Sequence, residues 1–370
     1  MSVTEKKADY VFLLYVGILL IFGLVMLASA SSPVGYQRFG DNYFFIKRQL
    51  LYGVLPGIVA FLFFAKFDYR KLLRFATPIF GFSLLLLILV FIPGIGSNLN
   101  TGAHSWLVIG PISFQPAEFA KLAMVIFMSA FLVHKGHDLV ELEQGFIPSL
   151  IVGFIPVLLV VLQPDVGTVS ILFSLLFGLL FVAGAKYKHL LALALLGVVA
   201  LIILIAVAPY RAARFTTFLH PELDPQGIGY HINQAFLAIG SGGVFGQGLG
   251  RSRQKFQYLP EVHADSIFAV IAEEMGFVFA SLFILFLLLI AFRAFRIAKD
   301  APDQFGRLLV CGIIIWILVQ SFFNIGAMVG LMPLTGVPLP LVSHGGTALM
   351  IALAGFGIVL NVSKHRITNN

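Results

Sequence analysis

The feature that most constrains this sequence is a series of long, uninterrupted apolar runs, each close to the length of a membrane span. A helix needs about 20 apolar residues to cross the hydrocarbon core of a bilayer. The runs 81–91 and 190–207 show no alternation of apolar and polar residues, which a membrane β-barrel would require. Since backbone groups in lipid must hydrogen-bond within the protein, the sequence predicts an all-α membrane protein of about ten transmembrane helices.

Composition excludes a soluble fold. Charged residues make up 11% of the chain and hydrophobic residues 59%, whereas soluble domains carry about 25% charged residues. The single cysteine, Cys311, rules out a disulfide within the chain and a cysteine-based metal site. The net charge of +7 resides mostly in short loops that can meet anionic lipid, so nucleic acid is not an expected partner.

The sequence shows no repeat, linker or second domain, so we expect a single polytopic domain over residues 1–370. The first span is predicted to be an uncleaved signal anchor. The spans are predicted at residues 11–30, 48–65, 75–93, 115–133, 147–163, 166–184, 188–208, 266–292, 307–331 and 343–362.

Orientation follows from the lysines and arginines of the short loops. They concentrate in alternate loops, such as 66–74 and 293–307, while residues 94–114 and 332–342 contain none. Because cytoplasmic loops are enriched in positive charge, both termini are predicted to be cytoplasmic. The long segment 209–264 then lies outside, between helices 7 and 8, and its aromatic and aliphatic residues predict that it folds partly back onto the membrane. Loops of this length are usually functional or disordered.

The most informative stretch lies at the end of this outer segment. Six glycines between 240 and 250 are followed by Arg251, Arg253 and Lys255. Exposed backbone amides beside cations favour a phosphate or diphosphate site. Glu261 and His263 then precede Asp265 at the boundary of the eighth span.

Two interpretations of Asp265 are open at this point. A carboxylate two residues from a histidine at a membrane boundary can act as a general base. Alternatively, Asp265 is the N-cap of a helix that begins at Ser266, where it would satisfy free amides and suit the helix dipole.

Ionisable residues within or beside spans form a second group. Glu118 and Lys121 are three residues apart, so they share a helix face and are predicted to pair. Such residues are costly in membranes and indicate function by default, although an ion pair that only positions the helix is the alternative. Arg48 lies at the outer end of the second span, where snorkelling of its side chain to the lipid headgroups is the simpler account. Glu273 and Glu274 lie inside the eighth span, and at least one of them is predicted to face a polar interior, because a charge facing lipid is costly.

The third group is the segment 333–347, whose prolines and glycines interrupt helical structure before the last span. Irregular backbone at membrane depth is tolerated where it lines a cavity, so this segment is predicted to wall a site that includes Ser343, Gly345 and Gly346. A plain re-entrant turn is the alternative. The histidines show no His-x-x-x-His spacing, so no protein metal site is predicted.

Taken together, these segments closely resemble the SEDS family of bacterial membrane proteins, the RodA/FtsW/SpoVE type. The resemblance covers essentially the whole chain. One departure from the common family pattern is His344, where most relatives have tyrosine. The segments that carry the resemblance are 102–106, 114–121, 163–167, 238–250, 258–274 and 339–346.

The resemblance implies a peptidoglycan glycosyltransferase that polymerises lipid II at the outer face of the bacterial cytoplasmic membrane, for cell elongation or division. It implies an inverting reaction with a polyprenyl-diphosphate-linked glycan as donor, a class B penicillin-binding protein as partner, and Asp265 as the essential acid. A divalent cation, Mg²⁺ or Mn²⁺, can assist the departing diphosphate. The alternative is a lipid II flippase without chemistry. The candidate substrate-binding residues are Arg48, Glu118, Lys121, Arg251, Arg253, Lys255, Glu261, His263, Glu274, Ser343, Gly345 and Gly346.

Overall fold

The computed structural model describes residues 7–97, 105–110, 112–207 and 209–365. Within these residues, ten helical segments are long and apolar enough to cross a membrane, and each coincides with one predicted span. The prediction of a multi-pass helical membrane protein is therefore confirmed. The ten segments are Tyr10–Phe39, Phe44–Lys66, Tyr69–Leu89, Pro116–Val140, Leu142–Leu162, Val166–Ala183, Tyr187–Ala206, Ile267–Lys299, Gln304–Met328 and Gly346–Ser363.

Thirteen α-helices build the described part of the chain. A π-helical turn, Leu50–Val54, joins the helices Phe44–Gln49 and Leu55–Lys66 within the second span. The helices are α1 Tyr10–Phe39, α2 Phe44–Gln49, α3 Leu55–Lys66, α4 Leu72–Leu89, α5 Pro116–Lys135, α6 Ile147–Leu162, α7 Val166–Ala183, α8 Tyr187–Ala206, α9 Pro209–Leu219, α10 Ile228–Ser241, α11 Ile267–Lys299, α12 Gln304–Met328 and α13 Gly346–Ser363.

Both ends of the described chain meet at one end of the bundle. The Asp9 amide donates a hydrogen bond of 3.0 Å to the Ser363 hydroxyl at the end of α13. The Asp9 carboxylate caps α1 through the Phe12 amide and pairs with Arg293 near the end of α11 at 3.0 Å. An even number of spans requires this arrangement. The assignment of this end to the cytoplasm stays a prediction from loop charge, and residues 1–6 and 366–370 lie outside the described residues.

A small antiparallel sheet interrupts the helical pattern between α4 and α5. Its strands are β1 Gly96–Ser97, β2 Trp106–Ile109 and β3 Ile112–Phe114, in the order β1-β2-β3. Leu107 pairs with Gly96 on one side and with Phe114 on the other. This sheet was not predicted from the sequence. Residues 98–104, which begin the 102–106 motif, lie outside the described residues.

The segment 209–264 is folded rather than extended. It contains α9, a 3₁₀ turn at Pro221–Leu223, and α10. α10 buries one face, with Ile232, Ala235 and Ala238 at helical spacing. This face packs against α11 so closely that a Cβ at Gly242 would lie 2.1 Å from the Ala272 carbonyl oxygen. The segment 209–264 therefore packs on the first turns of the eighth span.

The enclosed helices of the bundle are α5, α12 and α13, which bury most of their residues. The largest fully buried side chain, Trp316, lies in α12. α12 also buries Gln320 and Asn324. Polar groups in such surroundings need hydrogen-bond partners, and those partners lie in the loops that form the candidate site.

Candidate active site around Asp265

Asp265 occupies a tight turn just before α11. The helix begins at Ile267, its N-cap residue is Ser266, and the Ser266 side chain makes no capping bond. Asp265 lies one residue further from the helix than the cap position. The alternative interpretation of Asp265 as the N-cap is therefore wrong, and its carboxylate is available for another role.

Three successive carbonyl oxygens of this turn accept hydrogen bonds from other parts of the chain. The His263 carbonyl accepts from the His344 amide at 2.8 Å. The Ala264 carbonyl accepts from the Ser343 hydroxyl, and the Asp265 carbonyl accepts from the Asn324 side-chain amide at 2.8 Å. The segment that was predicted to wall a site thus fixes the backbone of the turn that carries Asp265.

Ser343 and the glycines that follow it are themselves built into the backbone framework. The Ser343 hydroxyl accepts from the Leu339 amide at 2.8 Å. Gln49, at the end of α2, donates to the Ser343 carbonyl and accepts from the Gly345 amide at 3.0 Å. Gly346 lies close to the second span, since a Cβ there would be 3.0 Å from the Tyr52 carbonyl oxygen. Their role toward substrate stays a prediction.

The surroundings of Asp265 favour its protonated form. The pKa of Asp265 is raised to about 7, mainly by burial and also by the negative charge of Glu261, while Arg214 opposes the shift. Among the described residues, its Oδ1 atom is buried with no hydrogen-bond partner. A carboxyl group with this pKa exchanges its proton close to neutral pH, as a general base or acid must.

Two histidines at this turn are in neutral form. Burial lowers the pKa of His263 to about 4, with a further contribution from Arg38. Burial also lowers the pKa of His344, to about 3, assisted by His263 and Arg48. The Phe45 ring packs on both, with centroid distances of 4.1 Å to His263 and 5.2 Å to His344. At pH 7 neither histidine supplies positive charge.

The cation that acts on Asp265 is not one of those predicted from the sequence. The positive charge of Arg214 in α9 lowers the pKa of Asp265, and the cluster 251–255 does not have this role. Lys255 is 4% exposed, and its amino group bonds to Glu274 at 2.7 Å and to the Gly250 carbonyl at 2.8 Å. Lys255 and Glu274 therefore satisfy each other inside the protein, and their contact with substrate stays a prediction. Arg251 and Arg253 are exposed, and their substrate contact stays a prediction.

The glycine-rich segment serves a break in α11. Gly276 is non-helical, with φ 78° and ψ 177°. The amides that this break frees, on Phe277 and Val278, donate to the carbonyls of Gly243 and Val244 at 2.9 and 3.1 Å. Irregular backbone at membrane depth must be satisfied in this way.

The same contact corrects the prediction of an exposed amide cradle. The amides of Gln247 and Gly248 donate to the carbonyls of Glu273 and Glu274 at 3.0 and 2.9 Å. The Glu273 carboxylate in turn accepts from the Arg253 amide at 2.8 Å. These amides are therefore hydrogen-bonded to carbonyls of α11 that the break at Gly276 leaves without helical partners.

The predicted ion pair in α5 is confirmed. Lys121 and Glu118 are 2.8 Å apart and almost fully buried. The Lys121 amino group also donates to Gln320 in α12 at 2.7 Å, and Gln320 donates to the Pro338 carbonyl at 2.9 Å. Among the described residues, Glu118 Oε2 has no hydrogen-bond partner. This network connects the fourth span to the segment that fixes the Asp265 turn.

Several residues that shape the site were not singled out from the sequence as parts of it. They are Arg38, Gln49, Arg214, His231 and Asn324. The one available signal was the helical spacing of His231 with Ala235 and Ala238 on the buried face of α10. Within the described ranges, no group of three or more His, Cys, Asp and Glu side chains could hold a metal ion.

Comparisons with known proteins agree with this architecture. The family model FTSW_RODA_SPOVE, described as "Cell cycle protein", matches residues 10–368. The chain is 40% identical over 365 residues to stage V sporulation protein E of Bacillus subtilis (strain 168), covering 99% of both chains. It is also 40% identical over 356 residues to a probable peptidoglycan glycosyltransferase FtsW of Trichlorobacter lovleyi, covering 96% of this chain and 93% of the relative.

Solved structures show the same fold. A chain from "Structural coordination of polymerization and crosslinking by a peptidoglycan synthase complex" has a TM-score of 0.78 and 29% identity, covering 98% of this chain and 99% of that chain. The rod shape determining protein RodA of Thermus thermophilus has a TM-score of 0.72 at 29% identity, with the same coverage. By sequence over nearly its whole length, and by fold, this chain belongs to the FtsW/RodA/SpoVE family of cell cycle proteins.

Proposed function

We propose that Asp265 is the general base of the peptidoglycan glycosyltransferase reaction that this chain carries out. The observation that supports the role is the raised pKa of Asp265, about 7, in a turn whose three carbonyls are fixed by other elements. A base is most effective when its pKa lies near the working pH, and such catalysis is typically worth 10²–10⁴-fold.

In the proposed reaction, Asp265 removes the proton of the acceptor 4-hydroxyl of lipid II. The hydroxyl oxygen forms a bond to the anomeric carbon of the growing glycan. The bond from that carbon to the diphosphate oxygen breaks, and the polyprenyl diphosphate leaves with the electron pair. One attack from the face opposite the leaving group inverts the anomeric centre and needs no covalent enzyme intermediate. The proton remains on Asp265 until it passes to solvent.

The departing diphosphate needs positive charge. Arg38, Arg48 and Arg214 are the cations whose fields act on His263, His344 and Asp265 respectively. We assign the stabilisation of the diphosphate to this trio, together with the exposed Arg251 and Arg253. A divalent cation would be bound largely by the diphosphate itself, as Mg²⁺ usually is in such sites.

The location and the partner extend the same proposal. The distribution of Lys and Arg in the short loops supports a cytoplasmic-membrane protein whose Asp265 end faces outward. Likeness to a chain of a peptidoglycan synthase complex supports a class B penicillin-binding protein as partner. Copurification with such a transpeptidase from the native cell tests this part.

The catalytic proposal is tested by polymerisation of lipid II with purified protein, with glycan strands resolved on a gel. Asp265→Asn and Asp265→Ala are expected to lose at least about 100-fold in rate, with unchanged thermal stability and gel-filtration profile at pH 7. Glu222→Gln is the matched control, because Glu222 is an exposed acid of the same outer segment. Wild-type rates in a folded Asp265→Asn variant would exclude the base. A wild-type protein that translocates lipid II without forming polymer would favour the flippase.

A further inference from the structure

A buried contact on the far side of the Asp265 turn is not used by the mechanism above. His231 in α10 places its Nε2 atom 2.6 Å from the hydroxyl oxygen of Ser266, the residue that follows Asp265. The Ser266 hydroxyl also lies 2.7 Å from the Pro260 carbonyl oxygen, to which it donates. His231 is partly buried, and Ser266 is fully buried.

The hydrogen-bond pattern fixes the form of His231. A serine hydroxyl has one proton to donate and accepts through its oxygen. Since that proton is directed to Pro260, the Ser266 oxygen accepts from His231, which is then the neutral imidazole protonated at Nε2. Burial supports this assignment, because it lowers the pKa of His231 to about 4, against a smaller opposing effect of Glu261.

Ser266 in turn holds the turn that carries Asp265. It is the next residue in the chain, and its hydroxyl bonds back across the turn to the Pro260 carbonyl. With His231 on its acceptor side, the hydroxyl proton is kept pointing toward Pro260.

The turn is thus held from two sides. The segment 343–344 and α12 hold the carbonyls of residues 263–265. On the other side, the contact of Ser266 with Pro260 closes the turn end to end, and His231 joins it to α10. α10 belongs to the outer segment, so its seating on α11 is transmitted directly to the residue next to the base.

We infer that His231 is a positioning residue for the glycosyl transfer reaction, which holds the turn that carries Asp265 through the Ser266 hydroxyl. This inference rests on the proposed role of Asp265. It requires a donor at the His231 Nε2 position and no proton transfer by the imidazole. A glutamine, whose side-chain amide can place an N–H near the same point, should therefore replace it.

The test compares His231→Ala with His231→Gln in lipid II polymerisation. For His231→Ala we expect kcat to fall about tenfold, because a buried hydrogen bond that fixes the turn is lost, with KM for lipid II within about twofold. His231→Gln should restore most of kcat.

Two further variants complete the test. His220→Ala is the matched control, since His220 is an exposed histidine of the same segment that pairs only with Glu222 at the surface, and its kinetics should match the wild type. Ser266→Ala should lower kcat to a similar extent, and adding His231→Ala to it should cause little further loss. If His231→Ala does not fold, Ser266→Ala alone tests the hydroxyl that His231 holds, and a wild-type kcat of Ser266→Ala would overturn the inference.

The outcomes separate this inference from the proposed function. Full activity of Asp265→Asn would overturn the base itself. An inactive Asp265→Asn with a His231→Ala variant of wild-type kcat would overturn only the role of His231. Equal impairment of His231→Gln and His231→Ala would also overturn it, because the imidazole would then act by more than donating a hydrogen bond.

Discussion

The side-chain amide of Asn324 donates hydrogen bonds of 2.8 Å to the Asp265 carbonyl and of 2.8 Å to the Val337 carbonyl. One side chain in the middle of the bundle therefore fixes both the turn that carries the proposed base and the segment that walls it. Neither carbonyl belongs to a regular helix, so each depends on a side chain for its partner. This contact places the geometry of the site under the control of α12.

The first prediction concerns this contact. Asn324→Ala should leave two buried carbonyls without their donor, at a cost of about 1–3 kcal/mol of stability, and should lower the polymerisation rate about tenfold or more. The measurements are thermal unfolding in detergent and a lipid II polymerisation assay. Ser321→Ala is the control, since the buried Ser321 hydroxyl bonds only to the Ile317 carbonyl of its own helix. Equal effects of the two changes would mean that Asn324 supports only α12.

The second prediction is the pH dependence of the rate. Asp265 must be ionised to accept a proton, and its pKa is raised to about 7, so kcat should be full above that value and fall as the pH decreases through it. Arg214 lowers the pKa of Asp265, so Arg214→Gln should move the midpoint upward. Arg251→Gln should alter KM and leave the midpoint in place. A midpoint that responds to Arg251 and ignores Arg214 would contradict the charge assignment made from the structure.

The third prediction concerns the buried pair of Lys255 and Glu274. Lys255→Met leaves the buried Glu274 carboxylate without its cation, and Glu274→Gln leaves the buried Lys255 amino group without its anion. Each change alone should lower the free energy of unfolding by about 3–5 kcal/mol. The double variant should regain most of this loss, which a double-mutant cycle measures. Lys47→Met with Asp41→Asn is the control, because that pair is exposed and should show no measurable coupling.

The same variants test substrate binding by this pair. If Lys255 contacts diphosphate, the double variant will be stable and will still polymerise poorly, with a raised KM for lipid II. Recovery of both stability and activity would establish the pair as structural.

The fourth prediction concerns the break in α11. Gly276 has a φ of 78°, which side chains rarely adopt, and a Cβ there would lie 2.2 Å from the Gly246 nitrogen. Gly276→Ala should separate the glycine-rich segment from the helix and cost at least about 1–3 kcal/mol from backbone strain alone. Folding yield in membranes and melting temperature measure this. Gly17→Ala is the control, since Gly17 is helical and has nothing within 4 Å of an added Cβ. Similar yields for both variants would show that the break is not required.

Local chemistry explains what the sequence predicted well. Each span was recognisable because lipid demands a continuous apolar run with internally satisfied backbone, and this demand acts on every segment separately. The pair of Glu118 and Lys121 was predictable because residues three apart on a helix must be neighbours. The small sheet at 96–114 was missed, because strands of two to four residues carry almost no periodic signal.

The site itself depended on contacts between segments far apart in the chain. Sequence alone identified Asp265 as the acid to examine, placed it at a membrane boundary, and specified a helical bundle around it. Tertiary structure decided that Lys255 pairs with Glu274, that the glycine amides serve α11, and that Arg214, Asn324 and His231 converge on the Asp265 turn. The physical reason is that a span is fixed by the free energy of transferring one segment into lipid. The partners of a buried polar group, in contrast, are chosen by which distant segments the packed bundle brings within hydrogen-bond distance.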